Sequence, residues 1–159
     1  MKQQQKLEFT IPEFISHVPQ SRLKMLKIGF NAMYSGMHRI IRSNLKNSIK
    51  EFARPYIPGQ VSMSKYPVKI HYTIVAPINW KAVSFRGGAI KWTKPKKGYQ
   101  PTWDIDNLAA IWVKILNDLI VEQGILPDDN VSYVQEVGYH WEECKDFEDR
   151  EIRCCITPF

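Results

Sequence analysis

Apolar and polar residues alternate over four stretches of the chain and recur at helical spacing over two more. Residues 6–11 alternate enough to predict an opening strand. Over 67–76 the alternation is clean, with Val68, Ile70, Tyr72, Ile74 and Ala76 on one face and Lys69, His71 and Thr73 on the other. That pattern predicts a strand with one buried face. Over 131–141, Val131, Tyr133, Val137, Tyr139 and Trp141 share a face in the same way, and after an acidic turn Ile152, Cys154 and Ile156 mark a last strand. Leu45, Ile49 and Phe52 predict a helix over 44–54, capped by Ser43 or Asn44 and ended by Pro55. The clearest helix spans 107–123, where Leu108, Ile111, Trp112, Ile115, Leu116 and Leu119 form a continuous stripe and Gly124 suits a left-handed cap.

Between these elements the pattern breaks down. The stretch up to about residue 42 holds Pro12, Pro19, Gly29 and Gly36 and reads as loop with short helical pieces. Within it, Asn31-Ala32-Met33-Tyr34-Ser35-Gly36-Met37-His38-Arg39 mixes polar, aromatic and basic groups. A packed loop is the simpler reading of that run, and a substrate-lining surface is the alternative. Residues 77–103 read as a long loop or a hairpin with flexible ends, basic and aromatic throughout. The order of elements predicts an α+β fold, with helices packed on a mixed or antiparallel sheet in two layers. A chain of 159 residues with no repeat and no linker fits one domain over 1–159.

Composition narrows the class. Hydrophobic content of 44% and charged content of 24% are those of an ordinary globular protein. No apolar run approaches the roughly 20 residues that span a bilayer, and the polar start Met1-Lys2-Gln3-Gln4-Gln5-Lys6 is unlike a signal peptide. Cys144, Cys154 and Cys155 are odd in number and clustered late, which predicts reduced thiols with at least one in the core. A net charge of +6 makes nucleic acid a plausible partner.

Against that basic background, carboxylates are concentrated at the two ends of the best helix. Asp104 and Asp106 precede and open it, and Asp128-Asp129 follows it. Asp104 and Asp106 are two residues apart, so in extended backbone both side chains point the same way. Capping accounts for Asp106 alone, and turn chemistry accounts for Asp128-Asp129-Asn130 alone. Convergence of all four requires the strand beginning near Val131 to run back beside the chain entering Asp104. Carboxylate oxygens suit Mg²⁺ or Mn²⁺. His17, His38, His71 and His140 are scattered and show no zinc spacing. A hard cation beside a basic surface fits phosphodiester hydrolysis, where it activates the nucleophile and stabilises developing charge.

Asp104-Ile105-Asp106-Asn107-Leu108 opening a helix, then Lys114, then Gly124 and Asp128-Asp129 before a strand, resembles the RusA family of Holliday junction resolvases. The likeness covers roughly residues 104–135. It implies a RusA-like fold and a Mg²⁺-dependent (or Mn²⁺-dependent) endodeoxyribonuclease. Such an enzyme resolves four-way or branched DNA by paired symmetric cleavage in recombination and repair. It further implies a homodimer, and a cytoplasmic protein of a bacterium or phage-infected host. Carried over, Asp104, Asp106 and Asp129 are catalytic and hold the metal, with Asp128 supporting. The family's helix lysine falls at Ala110 here. One inserted helical turn hands its role to Lys114, displaced by ~5.4 Å along the axis and expected to lean back toward the helix start. Arg86, Lys91, Lys94, Lys96 and Lys97 are expected to contact phosphates, and Trp92 or Phe85 to stack on an exposed base or wedge a junction. Two further readings stay open: a branched-DNA-binding module whose acidic cluster is structural or inactive, and a nuclease preferring flaps or forks.

Overall fold

A computed structural model describes residues 2–21, 24–78, 80–86, 89–94 and 104–159. Ten strands and three helices are assigned among the described residues: β1 (Lys2–Gln4), β2 (Leu7–Pro12), β3 (His17–Ser21), β4 (Lys24–Lys27), α1 (Phe30–Tyr34), α2 (Arg39–Ala53), β5 (Val61–Met63), β6 (Val68–Ala76), β7 (Lys81–Arg86), β8 (Ala89–Thr93), α3 (Ile105–Glu122), β9 (Val134–Glu143) and β10 (Glu151–Pro158). The central sheet has four strands in the order β2-β10-β6-β9. β10 runs antiparallel to both β2 and β6, whereas β6 and β9 are parallel. The fold is therefore α+β with a mixed sheet, as the pattern of elements predicts.

Register explains which face carries the core. Ile152 lies opposite both Ile11 and Ile74, Cys154 opposite Phe9 and Tyr72, and Ile156 opposite Leu7 and Ile70. All nine are buried, and α3 contributes Leu108, Ile111, Trp112, Ile115, Leu116 and Leu119 to the same core. Polar groups within it are satisfied: Tyr72 donates its hydroxyl to Asn117 at 2.6 Å, and the Trp112 indole donates to the Ile15 carbonyl at 3.1 Å. Cys154 is a free thiol in this core, and burial pushes it well above its usual range. No described helix is long and apolar enough to cross a membrane.

Helix α3 begins and ends as its chemistry dictates. Gly124 has φ +74°, and its N–H reaches the Val121 carbonyl while Ile125 N–H reaches that of Ile120. Those are the two hydrogen bonds of a Schellman cap, which needs a residue free to adopt positive φ. At the other end the cap is Asp104, whose carboxylate accepts the Asn107 N–H at 3.1 Å. Asp106 is thus inside the first turn and does not cap the helix.

Three other expectations change. Helix α2 starts at Arg39 rather than 44, capped by His38, whose ring nitrogen accepts the Ile40 N–H at 3.3 Å. The first turn hides from periodicity because Ile40 and Ile41 are 63% and 59% exposed. The irregular stretch before it contains the antiparallel β3–β4 hairpin and the short α1. The face carrying Val137, Tyr139 and Trp141 continues the core-facing side of β6 but is only partly buried at the sheet edge. β9 pairs only with β6 among the described residues, Val137 and Tyr139 are about 40% exposed, and Val131 precedes the strand at 83% exposed. Among its described residues the basic segment after β6 forms the β7–β8 hairpin, one of the two readings of that stretch, and residues 95–103 lie outside the described residues.

Candidate active site

The first turn of α3 presents two carboxylates. Asp104 holds its own helix start through the Asn107 N–H. Asp106 accepts the Tyr139 hydroxyl at 2.8 Å. Tyr139 reaches it because parallel pairing places Tyr139 beside Tyr72, on the helix-covered face of the sheet. Donation to Asp106 raises the Tyr139 pKa above its usual 10, with smaller contributions from partial burial and from the charge of Asp104. The phenol therefore stays protonated and acts as a fixed donor to one oxygen of Asp106. Among the described residues no basic side chain is ion-paired with either aspartate.

A depression of about 390 Å³ opens beside this pair, lined by Phe30, Asn31, Asp104, Asp106, Asn107 and Ala110. Helix α1 forms its other wall. The Asn31 N–H donates to the Asn107 side-chain oxygen at 2.7 Å. Gly29 packs so close to Asn107 that an added Cβ would meet its side chain at 2.8 Å. Helix α1 is thereby tied to the first turn of α3 through Asn31, a link between residues 76 positions apart.

The second acidic pair lies elsewhere. Asp128 uses one oxygen to accept the Asp129 N–H at 2.8 Å and the other to accept the Asn130 amide at 2.6 Å. It organises a turn, in line with its polar-turn reading. Asp129 lies 3.6 Å from the Lys114 ammonium, which also pairs with Asp118 at 2.7 Å. The Lys114 side chain therefore points toward the helix C-terminus and not back to Asp106. Positions 106 and 114 are about 12 Å apart along the axis at 1.5 Å per residue. These carboxylates raise the Lys114 pKa above its usual 10.5, the Asp118 hydrogen bond contributing most. Lys50, Lys114, Asp118, Val121, Glu122 and Asp129 line a separate depression of about 270 Å³. The four aspartates are thus not gathered into one group. Among the described residues, no three His, Cys, Asp or Glu side chains lie close enough to share a metal ion. Asp104 and Asp106 alone still fit a hard cation, since Mg²⁺ is commonly held by one or two carboxylates together with water and substrate phosphate. The charge of the pair, ion-paired with no basic side chain among the described residues, and the open depression beside it suit that donor set.

The basic segment is placed differently from expectation. The Trp92 ring stacks on Phe147 at 3.7 Å and meets His17 edge-on at 5.0 Å. Arg150 lies 4.2 Å over the Phe147 ring and donates to the Phe14, Phe147 and Glu13 carbonyls. Trp92 is therefore part of a packed cluster that joins β8 to the turn at Phe147–Asp149. Lys94 lies over the Trp80 ring at 5.5 Å, and Lys91 is exposed. Arg86 is described as strand backbone only, and Lys96 and Lys97 lie outside the described residues.

Periodicity did not single out Tyr139 as a site residue, because strand alternation marks it only as apolar-face. It also left unseen the pair His71 and His140, whose ring nitrogens lie 2.6 Å apart across the β6–β9 ladder on the opposite face of the sheet. No protein-family model matches the chain, and no curated protein matches its sequence.

Proposed function

We propose that this protein is a divalent-metal-dependent endodeoxyribonuclease acting on branched DNA. The observation that supports this most is the Asp104–Asp106 pair at the start of α3, ion-paired with no basic side chain among the described residues and facing an open depression in a chain of net charge +6. When bound, Mg²⁺ or Mn²⁺ would lower the pKa of a coordinated water and neutralise charge on the phosphate. Asp104 and Asp106 would hold it through the carboxylate oxygens not engaged by Asn107 and Tyr139. Tyr139 fixes the Asp106 carboxylate by donating its proton without transferring it. The N-terminal end of α3 adds a positive dipole that favours the scissile phosphate. Lys114 has no step in this mechanism, because Asp118 and Asp129 engage its ammonium. Symmetric cutting of a four-way junction needs two sites related by a dyad. Among the described residues β9 is one of the two edge strands of the central sheet, and its edge could pair with a second copy. Such an enzyme would act in recombination or repair.

The test is cleavage of a synthetic four-way junction in Mg²⁺ or Mn²⁺, with forks and flaps alongside. Asp106→Asn is expected to abolish cutting while junction binding persists; undiminished cutting by that variant would sink the reading. One observation favours a second reading, a branched-DNA-binding module without activity: the family lysine position is Ala110, and no third carboxylate joins the pair among the described residues. Wild-type binding without cleavage under any divalent ion would select it.

A further inference from the structure

The same depression has an aromatic wall that the proposed chemistry does not use. Phe30 lines it and is 47% exposed. Behind Phe30 lies Tyr34, 41% exposed, with the rings stacked 4.6 Å apart at 19°. The Arg42 guanidinium covers the Tyr34 ring at 4.7 Å. An exposed ring column of this kind presents apolar area to water, yet it is fixed in place by the tie between Asn31 and Asn107. Helix α2 then continues with a charge asymmetry. Its C-terminal cations are neutralised, Lys50 by Asp118 and Glu122, and Arg54 by Glu51 and Glu122. Its N-terminal cations Arg39, Arg42 and Lys46 are ion-paired with no carboxylate among the described residues. Positions 39, 42 and 46 are spaced i, i+3 and i+7, so these cations share one helical face.

We propose that Phe30 is the stacking platform for an unpaired base of a branched DNA strand, backed by Tyr34 and Arg42, and that Arg39 and Lys46 hold that strand's phosphates. The proposal rests on the DNA reading above and adds which strand feature is recognised. Any base offers a π face, so this contact selects unstacked nucleotides, as at a branch point, without selecting sequence. The adjacent phosphate is then brought to Asp104 and Asp106 on the opposite wall of the depression. Phe30 touches the base, whereas Tyr34 and Arg42 position it.

The experiment uses the full chain and a junction carrying a fluorescent adenine analogue at the branch. Binding is followed by anisotropy in Ca²⁺, and cutting in Mg²⁺. Wild type is expected to change the analogue's emission on binding. Phe30→Ala should lose that change and bind roughly 5- to 150-fold more weakly, the range for losing one base–aromatic stack. Phe30→Trp should retain both. Arg39→Ala and Lys46→Ala should each lower the salt slope of binding by about 0.7–0.9 while leaving the emission change. Phe30→Ala that binds with wild-type affinity and emission overturns the inference, even if wild type cuts DNA. Wild type that binds with these signatures but never cuts supports the inference and defeats only the nuclease reading. Wild type that binds no DNA overturns both. Because the Phe30 side chain is half exposed, its truncation should leave the far-UV spectrum and melting midpoint close to wild type.

Discussion

Asp104 does two things at once, and they can be separated. Its carboxylate caps α3, and its charge contributes to the acid pair. Asn caps about as well as Asp, whereas Ala does not. Asp104→Asn is therefore expected to melt near wild type while losing metal-dependent cleavage. Asp104→Ala should lose cleavage and also about 1 kcal/mol of stability in urea unfolding. Equal destabilisation by both variants would mean that charge at the helix start, not the cap, is what matters. Tyr139 tests orientation in the same site. Removing its hydroxyl leaves Asp106 without its donor, and outer-shell donors of this type are typically worth about 10–100-fold in metal affinity or activity. Tyr139→Phe should lower cleavage by that amount, with Mn²⁺ titration showing weaker metal binding. Asp104 and Asp106 were legible in the sequence because an i, i+2 acid pair at a helix start is a local pattern. Tyr139 was not, because its partner is 33 residues away and only the parallel β6–β9 register brings them together.

At the scale of elements, α3 separates two charged groups that its sequence presents together. The helix rises about 1.5 Å per residue, so the eight-position separation of Asp106 and Lys114 exceeds the reach of one metal ion. Lys114 ties the helix to the turn after it through Asp118 and Asp129. Its side chain is 56% exposed, so the pair is screened and worth at most about 1 kcal/mol. Lys114→Met should lower the melting temperature by no more than about 2–4 °C and leave cleavage within a few-fold of wild type. A hundredfold loss of cleavage would return Lys114 to the active site. The family resemblance assigned Lys114 a role near Asp106 by counting turns, but the rotamer is decided by the nearest carboxylates, and those follow it along the helix.

At the scale of the whole molecule, the sheet carries a pH-sensitive feature on the face away from the acid pair. His71 is held below its usual 6.5, mainly by partial burial, then by His140 and Lys69, with Glu136 opposing. His140 in turn faces Glu142, which also binds Arg153. A histidine with a depressed native pKa is protonated first in the unfolded chain. Its contribution to stability is thus intact above about 6.5 and lost as pH falls through the native value. Carboxylates such as Glu122, lowered chiefly by Lys50, release theirs only below their usual 4.5. Stability to urea should therefore weaken as pH falls below about 6.5 in wild type, and His71→Gln should flatten that segment. An unchanged slope in the variant would remove His71 as the cause.

The chain's own pattern determined the identity of β6, α3 and β10, the Gly124 cap, the α+β class and the Asp104–Asp106 pair. Each depends on residues within a few positions of one another, where periodicity and capping chemistry act. Only the tertiary structure decided that Tyr139 would anchor Asp106, that His71 would meet His140, and that α1 would wall the acid pair. It also decided that Asp129 would join Lys114 in a separate group. These outcomes depend on strand order, register and helix docking, which bring distant residues together through burial of the shared core. No local pattern encodes that geometry, so the sequence supplied the donors and the fold determined which of them face the same space.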